Sequence, residues 1–322
     1  VFFLIIAVLV VLFNVFLLIF PQIVLTAARD GLLLWFNNVL PSLLPFMIAS
    51  NMLISLGFAK FLGDLLSPVM QKIFRLPGAA GFGLVTGLTS GYPMGAKAVA
   101  DLKNSGELTT QEAQHLLAFC NNAGPVFILG VVGVGMFGST QVGYVLWAAH
   151  IFAALFLGIL LSIKSVKKEI VFVPVKENLI KYRKNRRSNM HSVGKILGDA
   201  VKNAMESMAI IGGLIIFFSV TVAVLETISQ EIIGEGILLG IFAGLVEVTG
   251  GARRLAALEP SILTLASVAF VLAFGGFSVH AQTFHFTTGT GIKNGSYLLA
   301  KILHGALAAV FTILLWWVLR AF

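Results

Sequence analysis

Charge is what this sequence has least of. Only 11% of its 322 residues are Asp, Glu, Lys or Arg, whereas a soluble domain carries about 25%. With 58% hydrophobic residues and a mean hydropathy of +0.96, the chain has a bilayer as its main solvent. Cysteine is nearly absent as well. Cys120 stands alone, which excludes a disulfide framework or a cysteine-based metal site and reads as a small packed residue. Catalytic signatures are missing too: there is no HExxH, GxSxG, CxxC or P-loop. The expectation is a protein that is not an enzyme, holds no cofactor or metal, and needs another subunit for any ATP-driven work.

The uncharged intervals are long. Residues 1–20, VFFLIIAVLVVLFNVFLLIF, carry no charge and are long enough to span. A cleavable leader would show a basic start and a shorter apolar core, and this stretch has neither. Because the first residue is valine, the N-terminus is expected to be trimmed. Further uncharged intervals run from Gly31 to Ala59, Leu76 to Ala96, Ala113 to Ile163, Ser207 to Leu225, Pro260 to Ile292 and Ile302 to Leu319. Ala113–Ile163 is too long for one crossing, and Gly138-Ser139-Thr140-Gln141 offers a turn within it.

Basic residues are concentrated rather than spread. Lys164–Arg187 holds nine of the 22 Lys and Arg and only Glu169 and Glu177 against them, a net of seven out of the chain's +8. A basic segment between apolar spans marks a cytoplasmic loop; aromatic residues are too sparse there for a nucleic-acid surface. Lys60, Lys72 and Arg75 form a second basic patch expected on the same side. ETISQEIIGEG, with Glu226, Glu231 and Glu235, reads as a loop on the opposite side.

The basic segment divides the chain into halves with one order of parts. A long apolar helix comes first, then a glycine-rich element ending in a base, GLVTGLTSGYPMGAKAVADL against GIFAGLVEVTGGARRLAAL, so that Gly95-Ala96-Lys97 matches Gly251-Ala252-Arg253. A broken third element follows, LLAFCNNAGPVFILGVVG against FVLAFGGFSVHAQTFHFTTG, and a plain apolar helix closes each half. Interrupted segments at matching places in two halves point to a transporter's midplane site. The fold expected is all-α: a polytopic membrane protein of two pseudo-symmetric, inverted repeats with broken helices and re-entrant hairpins. Its parts are an N-terminal helix and connection (1–30), a first repeat (31–163), the basic loop (164–198) and a second repeat (199–322).

The breaks hold the candidate residues. In SGYPMGAK, Ser90, Gly91, Tyr92, Pro93, Gly95 and Lys97 stand where an apolar run gives way. Irregular backbone persists in a bilayer only inside protein or beside a water-filled cavity, and a half-helix starting there presents free N–H groups to an anion. Lys97 gains nothing from that dipole, so it either meets a carboxylate ligand or reaches for the interface. In CNNAGP, the adjacent amides of Asn121 and Asn122 are costly without partners. Gly124 and Pro125 stop the helix, as at the tip of a re-entrant hairpin. The asparagines contact substrate there, or else cap or glue helices. In VEVTGGARR, Glu247 is an intramembrane carboxylate, a candidate ion ligand, proton carrier or partner for Lys97 or Arg253, with Thr249, Gly250 and Arg253 beside it. Ser278, His280 and Gln282 alternate in GGFSVHAQ, which places them on one side only if the chain is extended. His280 either titrates during transport or is simply hydrogen-bonded.

LPSLLPFMIASNML, GLTSGYPMGAK, GELTTQEAQHLLAFCNNAGPVFILG and GGFSVHAQ together resemble the YlbJ family of sporulation integral membrane proteins of endospore-forming Firmicutes. That family is similar to the wider group with nucleoside-recognition or gate domains, which includes concentrative nucleoside transporters. The resemblance implies transport of dipicolinic acid across the outer forespore membrane. Lys97 and Arg253 would then each hold one carboxylate, with Asn121 or Asn122 completing the hydrogen bonds and Tyr92 facing the ring. The alternatives are a nucleoside or related solute as cargo, or a non-transporting scaffold in spore assembly. Expected partners are the small solute, the lipid bilayer and a coupling ion (proton or sodium), with no nucleic acid and room for a homo-oligomer.

Overall fold

The computed structural model describes residues 2–56, 58–164, 193–233 and 236–320, and every regular element among them is helical. Apart from Lys164, the basic segment lies outside the described residues, as does Glu235 of the acidic one. Among the described residues four helices are long and apolar enough to cross a bilayer, or five if a bent N-terminal pair counts as one. This is an integral membrane protein.

Helix α1 (Phe2–Ile19) turns through 105° at Phe20 into α2 (Pro21–Leu34). Pro21 sits at the first turn of α2, where its missing N–H costs nothing. The helix continues through a π-helical turn, Trp35–Val39, into α3 (Leu40–Ser55). Next come α4 (Phe58–Val69) and a second π turn, Met70–Phe74, closed by Arg75 in the left-handed region. The Arg75 guanidinium donates to the carbonyl of Ser162 at 3.2 Å. That bond puts the Lys72–Arg75 patch at the same end of the molecule as Lys164, where the basic segment begins.

Two elements then fold back on themselves. Helix α5 (Ala80–Ser90) packs against α6 (Met94–Asn104) across the break at Gly91–Pro93. Further on, α10 (Ile237–Val246) packs against α11 (Val248–Ala256) across a break at Glu247. Each hairpin is followed by an interrupted element whose pieces do not pack on one another. In the first, α7 (Thr110–Cys120) gives way over residues 121–125 to a π-helical segment, Val126–Met136. In the second, α12 (Ile262–Phe274) gives way at Gly275 to α13 (Gly276–Thr287). Asn121 and Asn122 therefore sit between pieces that do not fold back on one another and are not a hairpin tip, which differs from the expectation from sequence. The reversal falls at Gly91 instead, whose φ of +82° only glycine adopts without strain.

The turn expected near Gly138 is present, and α8 (Thr140–Lys164) follows it. Helix α9 (Val193–Ile233) leads the second half and α14 (Asn294–Arg320) closes it. At 41 residues α9 is about 60 Å long, so ETISQE continues a helix and is not a loop. Glu226 turns inward from it to Arg254, Nε to Oε1 at 2.6 Å. Helices α2 and α3 lie along α9, while α8 and α12 lie along α14. The stretch Ile262–Thr287 is the most enclosed of the spans, with 78% of its apolar window buried against 33% for Asn294–Val318. It packs against α6, α8, α9, α10, α11 and α14.

Candidate functional site

Hairpin and broken element meet backbone to backbone in each half, and glycine makes that possible. The Tyr92 N–H donates to the carbonyl of Asn122 at 2.5 Å. A β-carbon on Gly95 would stand 2.7 Å from the Cys120 carbonyl oxygen, and one on Gly124 would stand 2.8 Å from that of Ser90. On Gly87 it would collide outright with Cys120. In the second half a β-carbon on Gly276 of the broken element would lie 2.9 Å from the Gly244 carbonyl oxygen of the hairpin, while one on Gly251 would strike Gly244 within the hairpin itself. The halves are joined there too. The Tyr92 ring lies 3.9 Å from where a β-carbon on Gly275 would stand, and Asn121 Nδ2 donates to Thr283 Oγ1 at 2.9 Å and to Tyr297 Oη at 2.8 Å.

The half-helix starts are already occupied. Asn121 Oδ1 accepts from the Ala96 N–H of α6 at 3.2 Å. Glu247 caps α11 itself: Oε1 accepts from Thr249 N–H at 2.9 Å and Oε2 from Gly250 N–H at 2.6 Å. The anion expected at these N–H groups is thus supplied by the protein at the second break, and an amide oxygen takes its place at the first. Glu247 pairs with neither Lys97 nor Arg253. The carboxylate that Lys97 meets is that of Asp101, one turn along α6 at 2.8 Å.

Around the crossing, several buried polar atoms have no partner among the described residues. They are Ser90 Oγ, Tyr92 Oη, Asn122 Oδ1 and both ring nitrogens of His280. The His280 ring is enclosed by Phe274, Phe277, Phe284 and Tyr297, with centroids between 4.6 and 6.3 Å away. Among the described residues neither of its ring nitrogens has a hydrogen-bond partner. Ser278 and Gln282 share its helix and are buried as well. Alternation on a helix spreads the three round its circumference, and all are enclosed because the span itself is central. Pro93 ends the tip of the first hairpin, joined to Tyr92 by a cis peptide.

Glu247, Thr249, Gly250 and Arg253 face a cavity of about 520 Å³ between α2, α9 and the second hairpin. Asp30, Glu226 and Arg254 also line it. Arg253 is exposed there and, among the described residues, has no ion pair. Lys97 is not among the residues that line this cavity, so the structure does not bring the two matched bases together in it.

A cluster that the sequence reading overlooked lies on the far side of Asn121. Lys301 is fully buried on α14 and donates through Nζ to the Asn121 carbonyl and to His304 Nδ1, both at 2.9 Å. His304 Nε2 reaches the His150 carbonyl at 3.1 Å, and His150 Nε2 accepts from the Ala123 N–H at 3.1 Å. A lysine beside an apolar run reads as the edge of a span. The signal that would have found it is the Lys-x-x-His spacing, which puts both side chains on one helix face.

These features define a class, a helical membrane protein in which two hairpins pack against two interrupted elements, with a buried, partly unsatisfied polar centre beside the first. The chain belongs to the YlbJ family of sporulation integral membrane proteins. It is 36% identical to the sporulation integral membrane protein YlbJ of Bacillus subtilis (strain 168), over 92% of this chain and 78% of that relative. Residues 36–173 match the family model described as Gate, nucleoside recognition. No solved structure matches.

Proposed function

We propose that the chain is a secondary transporter that moves a small aromatic solute by alternating access around the crossing of hairpins and broken spans. The observation that carries this is the group of unpartnered atoms on Ser90, Tyr92, Asn122 and His280. Each buried polar group left unsatisfied costs about 1–3 kcal/mol, and a scaffold has no use for several of them at one place. A solute's own donors and acceptors would satisfy them. The matched order of hairpin, broken span and long helix supports reading the halves as inverted repeats, the architecture that suits such a cycle. With Lys164 and Arg75 at one end, positive charge supports reading that end as the cytoplasmic one.

Dipicolinate is the first cargo to test, because the relative is named as a sporulation protein; location in the outer forespore membrane is part of the same proposal. For a dianion the site would draw on Arg253 and on Lys97 once Asp101 releases it. A nucleoside is the second reading, favoured because none of the four side chains that carry the unpartnered atoms is Asp, Glu, Lys or Arg. Thermal unfolding of the purified protein with dipicolinate, a nucleoside and an unrelated aromatic dicarboxylate separates them, since a ligand of the native state alone raises the melting temperature. Stabilisation by dipicolinate that disappears in Lys97→Ala or Arg253→Ala supports the anion site. Stabilisation by the nucleoside alone keeps the carrier and changes its cargo. No response to any of them at millimolar levels favours the scaffold.

A further inference from the structure

Lys301 lies inside a predicted crossing, seven residues after the start of α14, about 10 Å along its axis. An ionisable side chain at such a position is expensive to keep unless it has work to do. Its surroundings are specific. Two acceptors, the Asn121 carbonyl and His304 Nδ1, meet its Nζ. They match the two N–H bonds of an amine, whereas an ammonium has three. No Asp or Glu among the described residues forms an ion pair with it. The ionisable groups that face it are Cys120 at the end of α7, His150 on α8, His280 on α13, and Tyr297 and His304 on its own helix. Helix α12, which also packs on α14, has no ionisable side chain.

The hydrogen bonds around it are directional. Because Lys301 donates to His304 Nδ1, the His304 proton is on Nε2, which donates to the His150 carbonyl. Because Ala123 N–H donates to His150 Nε2, the proton of that ring is on Nδ1, which has no partner. Two of the contacts fall on the broken span itself, at the Asn121 carbonyl and the Ala123 N–H. Any movement that opens the break must therefore disturb them. Lys301 is 0% exposed and does not line the cavity beside Arg253. A group so enclosed can exchange a proton, and no larger ligand can reach it.

We propose that Lys301, with His304 and His150, is the site at which transport is coupled to a proton. One proton binds the Nζ lone pair when the break opens to water on one side, and the same proton leaves to water on the other side. Each cycle carries one proton with the solute and changes no covalent bond. The proposal rests on the transporter reading.

The test is the full chain in proteoliposomes, with labelled dipicolinate and a labelled nucleoside as probes. Exchange is measured at equal pH on both sides, and net uptake is measured after a pH step. Net uptake by the wild type should rise several-fold with the step. In Lys301→Gln that rise should vanish, and any exchange it retains should no longer depend on pH. If that variant neither folds nor exchanges, His304→Gln decides: its uptake should reach half its maximum at a pH different from the wild type's. A wild type that exchanges solute but ignores the step overturns proton coupling and leaves the transporter standing. A full rise in Lys301→Gln, or an unmoved profile in His304→Gln, removes the proton from this cluster. A wild type that exchanges neither solute removes both readings together.

Discussion

At the first hairpin tip the start of α6 is held by Asn121, an amide belonging to a different element, whereas at the second the start of α11 is held by Glu247, the residue immediately before it. The local need is the same, N–H groups left without partners where a helix begins. The borrowed cap ties the first hairpin to the broken span and, through Thr283 and Tyr297, to the second half of the chain. The self-made cap leaves the second hairpin independent of its neighbours at that point, with its charged residues turned to a cavity. One tip is a joint between halves and the other is a wall of a pocket.

Backbone contact is common to both tips, so removing it should have the largest effect and should not distinguish them. Gly87→Leu and Gly276→Leu each drive a side chain into backbone of the facing element. Overpacking costs about 1–3 kcal/mol even where neighbours can shift. Neither variant should give a monodisperse peak in size-exclusion chromatography of a fluorescent fusion. A normal peak from either would mean that the hairpin need not touch its broken span.

The next substitution breaks the comparison. Asn121→Ala leaves Ala96, Thr283 and Tyr297 short of a buried partner, a loss of about 3 kcal/mol. Glu247→Ala removes only a cap, which is worth about 1 kcal/mol. Melting curves in detergent should rank the two in that order, with Asn121→Ala well below Glu247→Ala. Equal losses would show that the borrowed cap joins nothing. Glu247→Gln, which keeps an acceptor for α11, should recover part of the smaller loss.

Lys97→Ala should be the mildest. Its pair with Asp101 is one turn apart on a helix and partly open to solvent, with side chains 14% and 36% exposed. Such pairs contribute about 0.5 kcal/mol or less, so the melting temperature without ligand should hardly move. Any larger change that appears only with dipicolinate present assigns Lys97 to the ligand.

Much of the site was legible because its signals are local. Glycine, proline and paired asparagines in an apolar run mark broken backbone, and the breaks fall at Gly91–Pro93, at residues 121–125, at Glu247 and at Gly275. Which break reverses the chain was not legible. CNNAGP carries the stronger stop signal, yet the chain folds back at Gly91, because packing of α5 on α6 decides it. Lys301 escaped notice for a related reason. From sequence it stands beside an apolar run like any flanking lysine, and only the fold buries it.

The sequence alone determined that this chain lives in a bilayer, that it is helical, and where its apolar elements are interrupted. Those properties follow from hydropathy and from the backbone hydrogen bonds that lipid cannot supply. Tertiary structure decided who supplies them instead. Asn121 meets Ala96 across 25 residues, Tyr297 across 176 and Lys301 across 180. No local pattern encodes partners so distant, since they are set by how hairpins and spans pack. The chemistry of the centre therefore belongs to the fold.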